Sequence, residues 1–383
     1  MASNNNSTLT AWHYATREPV QVNWANGRIT GLKPATEKPN EDLWVAPPLV
    51  DLQINGYGGI DFQQDNLTTE QLLVAARQLR RDGCTRFLLT LITDEWPALT
   101  NRLAHLKKLR DASAELQSAI VGWHIEGPFL SPEPGFRGAH NADVMCDPKP
   151  EHIRKLREIT GSDPLLLTVA PEREGAIEAI ATATKLGIKI SLGHTNASAE
   201  ILQRAVEAGA IAFTHLGNAI PQQIDRHDNV LWRVFDTPGL TASLIPDTFH
   251  VSPTLFRTVH RVMPAEKIYY TTDAMSAAGA KPGLYTIGKL QLEVGADQIV
   301  RLPGKPHFAG SALRPIEGVF RAAKMLDRPW QEVWDYFSSR PAKLMGLEQG
   351  FKTGHSASFC LLNVSDGKQL DELGVYVDGS LNK

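Results

Sequence analysis

From residue 46 onward, short apolar runs alternate with longer amphipathic stretches. Eight runs read as strands: PPLVDLQI (47–54), TRFLLTLI (85–92), AIVGWHIE (119–126), PLLLTVAP (164–171), IKISLGH (188–194), AIAFTH (210–215), TASLIP (241–246) and IYYTTD (268–273). Between them, apolar positions recurring every three to four residues predict helices over 68–83, 173–187 and 198–209, each closed by a glycine. Eight strand-and-connection units predict a (β/α)8 barrel. A doubly wound open sheet gives similar alternation, and the polar residues separate the two. Gln53, Asn55, Glu126, His194, His215, His250 and Asp273 stand at or near the ends of many different strands. A barrel builds its site from many strand ends, whereas an open sheet does so only at its switch point. The α/β barrel is therefore expected over 46–349. The flanks, 1–45 and 350–383, are rich in turn residues and short alternating stretches such as QVNWANGRITGL and ELGVYVDGS. They are expected to pair into one small β-domain made from both chain ends.

Composition narrows the function classes. A formal net charge of -3 argues against a general nucleic-acid binder but leaves room for an anionic small molecule. Three widely spaced cysteines, Cys84, Cys146 and Cys360, form no CxxC pair, which excludes a disulfide framework or a thiolate zinc cluster. The start, MASNNNSTLT, has no basic segment leading into an apolar one, and no apolar run is long enough to span a bilayer. A soluble cytoplasmic protein with no membrane partner is the expectation.

The chemistry gathers in SLGHTNAS (191–198) and FTHLGNAIP (213–221), where His194 and His215 follow successive strands. With Glu126 from the third strand they make a two-imidazole, one-carboxylate set, which suits a catalytic divalent metal with open positions. Each histidine taken alone reads more readily as a hydrogen-bonded structural residue than as a ligand. Asp273 either caps the following helix or acts as general base toward a water that the metal acidifies. Gln53 and Asn55 share one face of the first strand. Neutral amides compete poorly for a transition metal, so they argue for one metal rather than two. His124, on the face of Glu126, either orients that ligand or fills the core. Asn218, the amide of Ala219, Arg226 and His250 form a looser donor set able to grip a phosphate, although Arg226 reads equally as a solvated charge.

Taken in order, DLQINGYGGIDF, HIEGPFLSPEPGFRGAHN, GHTNA, THLGNAIP, TTDAMSAAG, GSALRPIEGV and RPAKLMGLE resemble the N-acetylglucosamine-6-phosphate deacetylases of the amidohydrolase superfamily, over residues 45–350. The resemblance implies a (β/α)8 barrel with a small β-sandwich, and hydrolysis of the acetamide of an amino sugar phosphate. It implies one divalent ion per subunit on Glu126, His194 and His215, with zinc first among zinc, iron, cobalt and manganese. Asp273 becomes the acid/base. His140 becomes a substrate contact that helps polarise the acetyl carbonyl, and Asn218, Ala219 and His250 bind the sugar phosphate. Arg226 resembles an arginine that reaches the neighbouring subunit's substrate, which implies a homodimer. Gln53 and Asn55 match the single-metal branch.

The chain departs from the family pattern in GNAIPQQIDRHDNVLWR, where Gly217 replaces a common aromatic, and in KTGHSASFCLL near the C-terminus. A deacetylase of a related amino sugar, phosphorylated or not, stays open. A different amidohydrolase is disfavoured, because the fourth strand ends TVAPE without a lysine. A catalytically dead binding barrel would be expected to lose Asp273 or a ligand, and this chain keeps all four.

Overall fold

The computed structural model describes residues 6–303 and 310–382, so the first five residues of the Asn/Ser-rich start lie outside it. Eight strands follow the predicted runs: β1 (Leu49–Ile54), β2 (Cys84–Ile92), β3 (Ile120–Glu126), β4 (Leu165–Val169), β5 (Lys189–Leu192), β6 (Ala210–Phe213), β7 (Thr241–Leu244) and β8 (Ile268–Tyr270). They lie side by side in chain order and every pairing is parallel. With helices in the connections, this is the expected (β/α)8 barrel.

The apolar runs have a simple cause. A barrel strand meets the barrel interior on one face and helices on the other, so it is buried on both. All five residues of β4, LLLTV, are buried accordingly. Trp123, Ile125, Leu167 and Leu192 are fully buried. Truncating such a leucine to alanine costs about 2–5 kcal/mol.

The helices pack by their apolar stripes and stop where their caps dictate. Thr69–Arg81 opens on a capping box, with Thr68 accepting from Gln71 N and the Gln71 side chain reaching back, and it buries Leu72, Ala75, Ala76 and Leu79. The helix expected from 173 begins at Ala176, because Gly175 adopts a left-handed conformation at the cap. Ala199–Ala208 runs from a Ser198 cap to Gly209 at φ 115°. Strand β8 stops at Tyr270 rather than at 273. Asp273, at φ 53°, leaves the extended conformation that a ladder needs.

Both chain ends contribute to a seven-stranded sheet, ordered Ser380–Asn382, Gln369–Val377, Phe359–Ser365, Leu43–Ala46, Ser7–His13, Pro19–Ala25 and Arg28–Pro34. The two ends meet where Cys360 lies opposite Ala46 in an antiparallel pair. Asn26 and Gly27, both at positive φ, turn the hairpin between the strands at 19–25 and 28–34. Val22, Trp24, Ile29, Val45 and Phe359 form this sheet's own core. A further three-stranded antiparallel sheet, Gly283–Ile287, Leu290–Val294 and Val300–Arg301, follows β8. The strand pattern read from the sequence did not include it. Among the described residues no helix is long and apolar enough to cross a membrane.

Candidate active site

The polar strand-end residues singled out by the sequence gather at one mouth of the barrel, and Arg226, from the looser donor set, stands apart from them. Glu126 ends β3; His194 and His215 each follow their strand by two residues. His194, His215 and Asp273 have φ of 50°, 31° and 53°. Non-glycine residues pay steric strain there and keep it mainly where a site demands it. The shared backbone twist turns the three side chains inward instead of letting them continue their ladders.

Glu126 is the hub. Its Oε1 lies 3.0 Å from His215 Nε2 and 3.3 Å from His194 Nε2, and its Oε2 lies 3.9 Å from His140 Nε2. Glu126, His140 and His194 also form a cluster compact enough for a metal ion. Four groups therefore converge, with His194 and His215 nearest one oxygen of Glu126 and His140 nearest the other, and the His140 and His194 rings 4.5 Å apart. Tautomer chemistry supports a cation here. His194 Nδ1 lies 3.0 Å from the carbonyl oxygen of Phe136, so it carries the proton and donates it. The lone pair is then on Nε2, which is buried without a hydrogen-bond partner and turned toward Glu126. A buried, unpartnered nitrogen lone pair beside a carboxylate fits a metal ligand.

Electrostatics reinforce the arrangement. Against the upward push of burial, the neighbouring His194 and His215 imidazoles hold the Glu126 carboxyl well below the usual carboxylate range. His215 is shifted upward, because Glu126 outweighs its burial. Burial, with the neighbouring His194, pushes the His140 imidazole down to about 3 and keeps it neutral. Burial and the charge of Glu126 push Asp273 up to about 7, against the opposing pulls of His215, His250 and Asn55.

Strand β1 fixes Asp273. Gln53 Nε2 donates to Glu126 Oε1 at 3.0 Å and to Asp273 Oδ1 at 2.9 Å, and Asn55 Nδ2 donates to the same Oδ1 at 2.7 Å. His124 lies deeper and is fully buried. Its ring nitrogens meet Thr90 Oγ1 at 3.3 Å and Thr168 Oγ1 at 2.8 Å, and Thr168 continues through Thr214 to Ser191. It belongs to a satisfied polar layer under the site.

The cavity above measures about 770 Å³ and is lined by Asn55, Glu126, His140, His194, His215, Asn218, Ala219, His250 and Asp273. Asp247 Oδ2 lies 2.5 Å from His250 Nδ1, and against burial it shifts that imidazole upward. Arg226 is exposed and is not among the lining residues. Two features escaped the sequence. Arg137 is the single lysine or arginine among the described lining residues, and no carboxylate pairs with it there. It stands inside GFRGAHN, but its neighbourhood has no periodicity to mark it. Ile287 and Leu290, from the sheet after β8, supply an apolar wall with Ile92 and Leu302.

The glycine of HIEGPF has a local reason. Gly127 sits at φ 95°, and a Cβ there would come within 2.0 Å of Thr93 Oγ1, which lies 2.8 Å from His140 Nδ1. Gly127→Ala is therefore expected to lose about 1–3 kcal/mol of stability and to displace His140. Thermal unfolding and the structure of the variant check this, and an unmoved Thr93 would refute it.

No protein-family model matches the chain. Curated proteins do. The N-acetylglucosamine-6-phosphate deacetylase of Caenorhabditis elegans is 30% identical over 339 residues, covering 84% of this chain and 79% of that protein. The Bacillus subtilis protein of the same name is 28% identical over 334 residues, covering 84% of this chain and 82% of its own length. Among solved structures, an N-acetyl-D-glucosamine-6-phosphate deacetylase variant from Mycobacterium smegmatis, in complex with N-acetyl-D-glucosamine-6-phosphate, superposes with TM-score 0.86 at 26% identity. That match covers 98% of this chain and 99% of the other. At 30% identity over most of both chains, and with a matching overall structure, the chain belongs to the N-acetylglucosamine-6-phosphate deacetylase family.

Proposed function

We propose that this chain hydrolyses the acetamide of N-acetylglucosamine-6-phosphate, giving glucosamine-6-phosphate and acetate. The convergence of Glu126, His194, His215 and Asp273 in one cavity of a family member carries that reading. One divalent ion per subunit, zinc before iron, cobalt or manganese, would be held by Glu126, His194 and His215. When bound, it acidifies a water and polarises the acetyl carbonyl.

The residues divide the remaining work. Asp273 takes a proton from the attacking water, whose oxygen bonds to the carbonyl carbon. Its Oδ1 is held by Gln53 and Asn55, which leaves Oδ2 for that proton. The carbon–nitrogen bond then breaks as Asp273 returns the proton to the departing amine. A carboxyl shifted toward neutrality suits both transfers. His140, steadied by Thr93, contacts the acetyl carbonyl and helps to polarise it.

Asn218, the Ala219 amide, His250 and Arg137 serve the sugar phosphate within the subunit. Arg226 serves the neighbouring subunit's site in a homodimer. Its exposure supports that role, as do Ile224 and Trp232 on the same segment, 40% and 50% exposed. The free cysteines suit a cytoplasmic location.

The direct test compares acetate release from N-acetylglucosamine-6-phosphate and from the unphosphorylated sugar, with and without chelator. Hydrolysis of the phosphorylated sugar that chelator abolishes is the expected outcome; equal rates on both sugars would remove the phosphate from the proposal. Arg226→Ala is expected to raise KM about tenfold or more for the phosphorylated sugar alone, in line with the loss of one charge-assisted contact. An equal effect on both sugars would take Arg226 out of the phosphate site.

A further inference from the structure

The barrel closes in an unusual way. Among the described residues no backbone ladder joins β8 to β1, and the bridge between this pair of segments is Ile54 to Ala274, beyond the end of β8. A side chain fills the seam. Asp51, on β1, is fully buried, and its carboxylate accepts four hydrogen bonds. Oδ1 receives Gln53 N at 3.1 Å and Thr271 Oγ1 at 2.5 Å. Oδ2 receives Thr272 N at 2.9 Å and Thr272 Oγ1 at 2.6 Å. No cation pairs with it among the described residues.

A buried carboxylate without a counter-ion is a costly way to close a sheet, since an uncharged residue would avoid the desolvation. What the charge supplies is four acceptor positions, which no amide or hydroxyl offers together. Gln53 N fills one of those positions, and Thr271 and Thr272, the two residues before Asp273, fill the other three. The residue after it is held too, because Ala274 N donates to Thr272 Oγ1 at 3.2 Å and Asn55 N donates to Ala274 O at 2.7 Å. Asp273, in its left-handed conformation, is thus clamped on both sides by β1. Asp51 and Gln53 alternate along that strand and Asn55 follows its end, the first gripping Thr271 and Thr272 before the acid and the other two gripping its Oδ1.

We propose that Asp51 is a positioning residue for the acid/base, fixing the Thr271–Ala274 backbone so that the Asp273 carboxylate stays on the amides of Gln53 and Asn55. This rests on the role given to Asp273 above. A misplacement of about 1 Å at a reacting group costs about 100-fold in rate. In the metal-loaded protein, Asp51→Asn is therefore expected to lower kcat about 100-fold while KM and metal content per chain stay unchanged. Thr272→Ser, which keeps the hydroxyl, should retain the parent rate, and Thr272→Val should behave like Asp51→Asn. A crystal structure of either impaired variant should show the Asp273 carboxylate displaced from the two amides. A parent-like kcat in both Asp51→Asn and Thr272→Val would overturn the proposal, as would an unmoved Asp273 or a loss of metal equal to the loss of rate. If Asp51→Asn does not fold, Thr272→Val and Thr272→Ser decide the matter by the same measurements. A parent protein inactive on the phosphorylated sugar would defeat the proposed function, while the crystallographic comparison would still decide the clamp.

Discussion

Asp273→Asn is expected to keep its divalent ion and lose about three orders of magnitude in kcat, within the range that general acid–base catalysis contributes. The asparagine preserves shape and can still meet Gln53 and Asn55, which hold Oδ1 at 2.9 and 2.7 Å in the parent. It cannot accept a proton from water or pass one to an amine. Asp273 stands outside the proposed ligand set, so metal analysis should read the same for variant and parent. The pH dependence carries a sign. Burial and the charge of Glu126 raise the acid to about 7 in the metal-free protein. The base must be ionised to work, so kcat/KM rises with pH through its titration. A cation beside Glu126 favours the ionised form, so in the loaded enzyme the rising limb moves below pH 7. Turnover by Asp273→Asn near that of the parent would refute the role.

Removal of the metal is the second large effect. Chelation should abolish turnover, and restoring a divalent ion should recover it at one ion per chain, since neutral amides such as Gln53 and Asn55, already hydrogen-bonded to Glu126 and Asp273, compete poorly for a transition metal. Binding to the folded chain alone also stabilises it, by about 4 kcal/mol when the free ion exceeds its dissociation constant a thousandfold. The chelated protein should therefore unfold several degrees lower. Glu126→Gln should mimic chelation in both respects. It removes the negative charge that lies beside His194 and His215. The histidines must be deprotonated to bind metal, so affinity should fall as pH drops below their titration. Two bound ions per chain, or full activity and unchanged stability in chelator, would contradict the assignment.

How far the site could be read in advance differs residue by residue. Glu126, His194, His215 and Asp273 were legible because each interrupts or ends an apolar run, where a polar residue needs a reason. His140 lies in a loop without periodicity, and only the family resemblance marked it. The structure then brought its Nε2 within 3.9 Å of Glu126. For His124 the two roles left open by the sequence resolve into a hydroxyl network between Thr90 and Thr168. Arg137 and Asp51 stand inside motifs that were plainly visible, yet nothing in their spacing showed what they would face. The sheet at 283–301 escaped because the strand pattern led only to the barrel, and its contribution to the cavity comes from where it folds back.

The amino-acid order alone determined that eight apolar runs, buried on both faces, would alternate with amphipathic helices, and that polar groups would stand at the same end of successive strands. Those are properties of local periodicity, which one segment carries by itself. The tertiary structure decided which groups meet: His194 and His215 sharing one oxygen of Glu126, β1 amides on the acid of β8, and Asp51 spanning the seam. Such encounters join residues up to 221 positions apart. They depend on the curvature of the closing sheet and on a few left-handed backbone turns, and neither leaves a repeating mark in the chain.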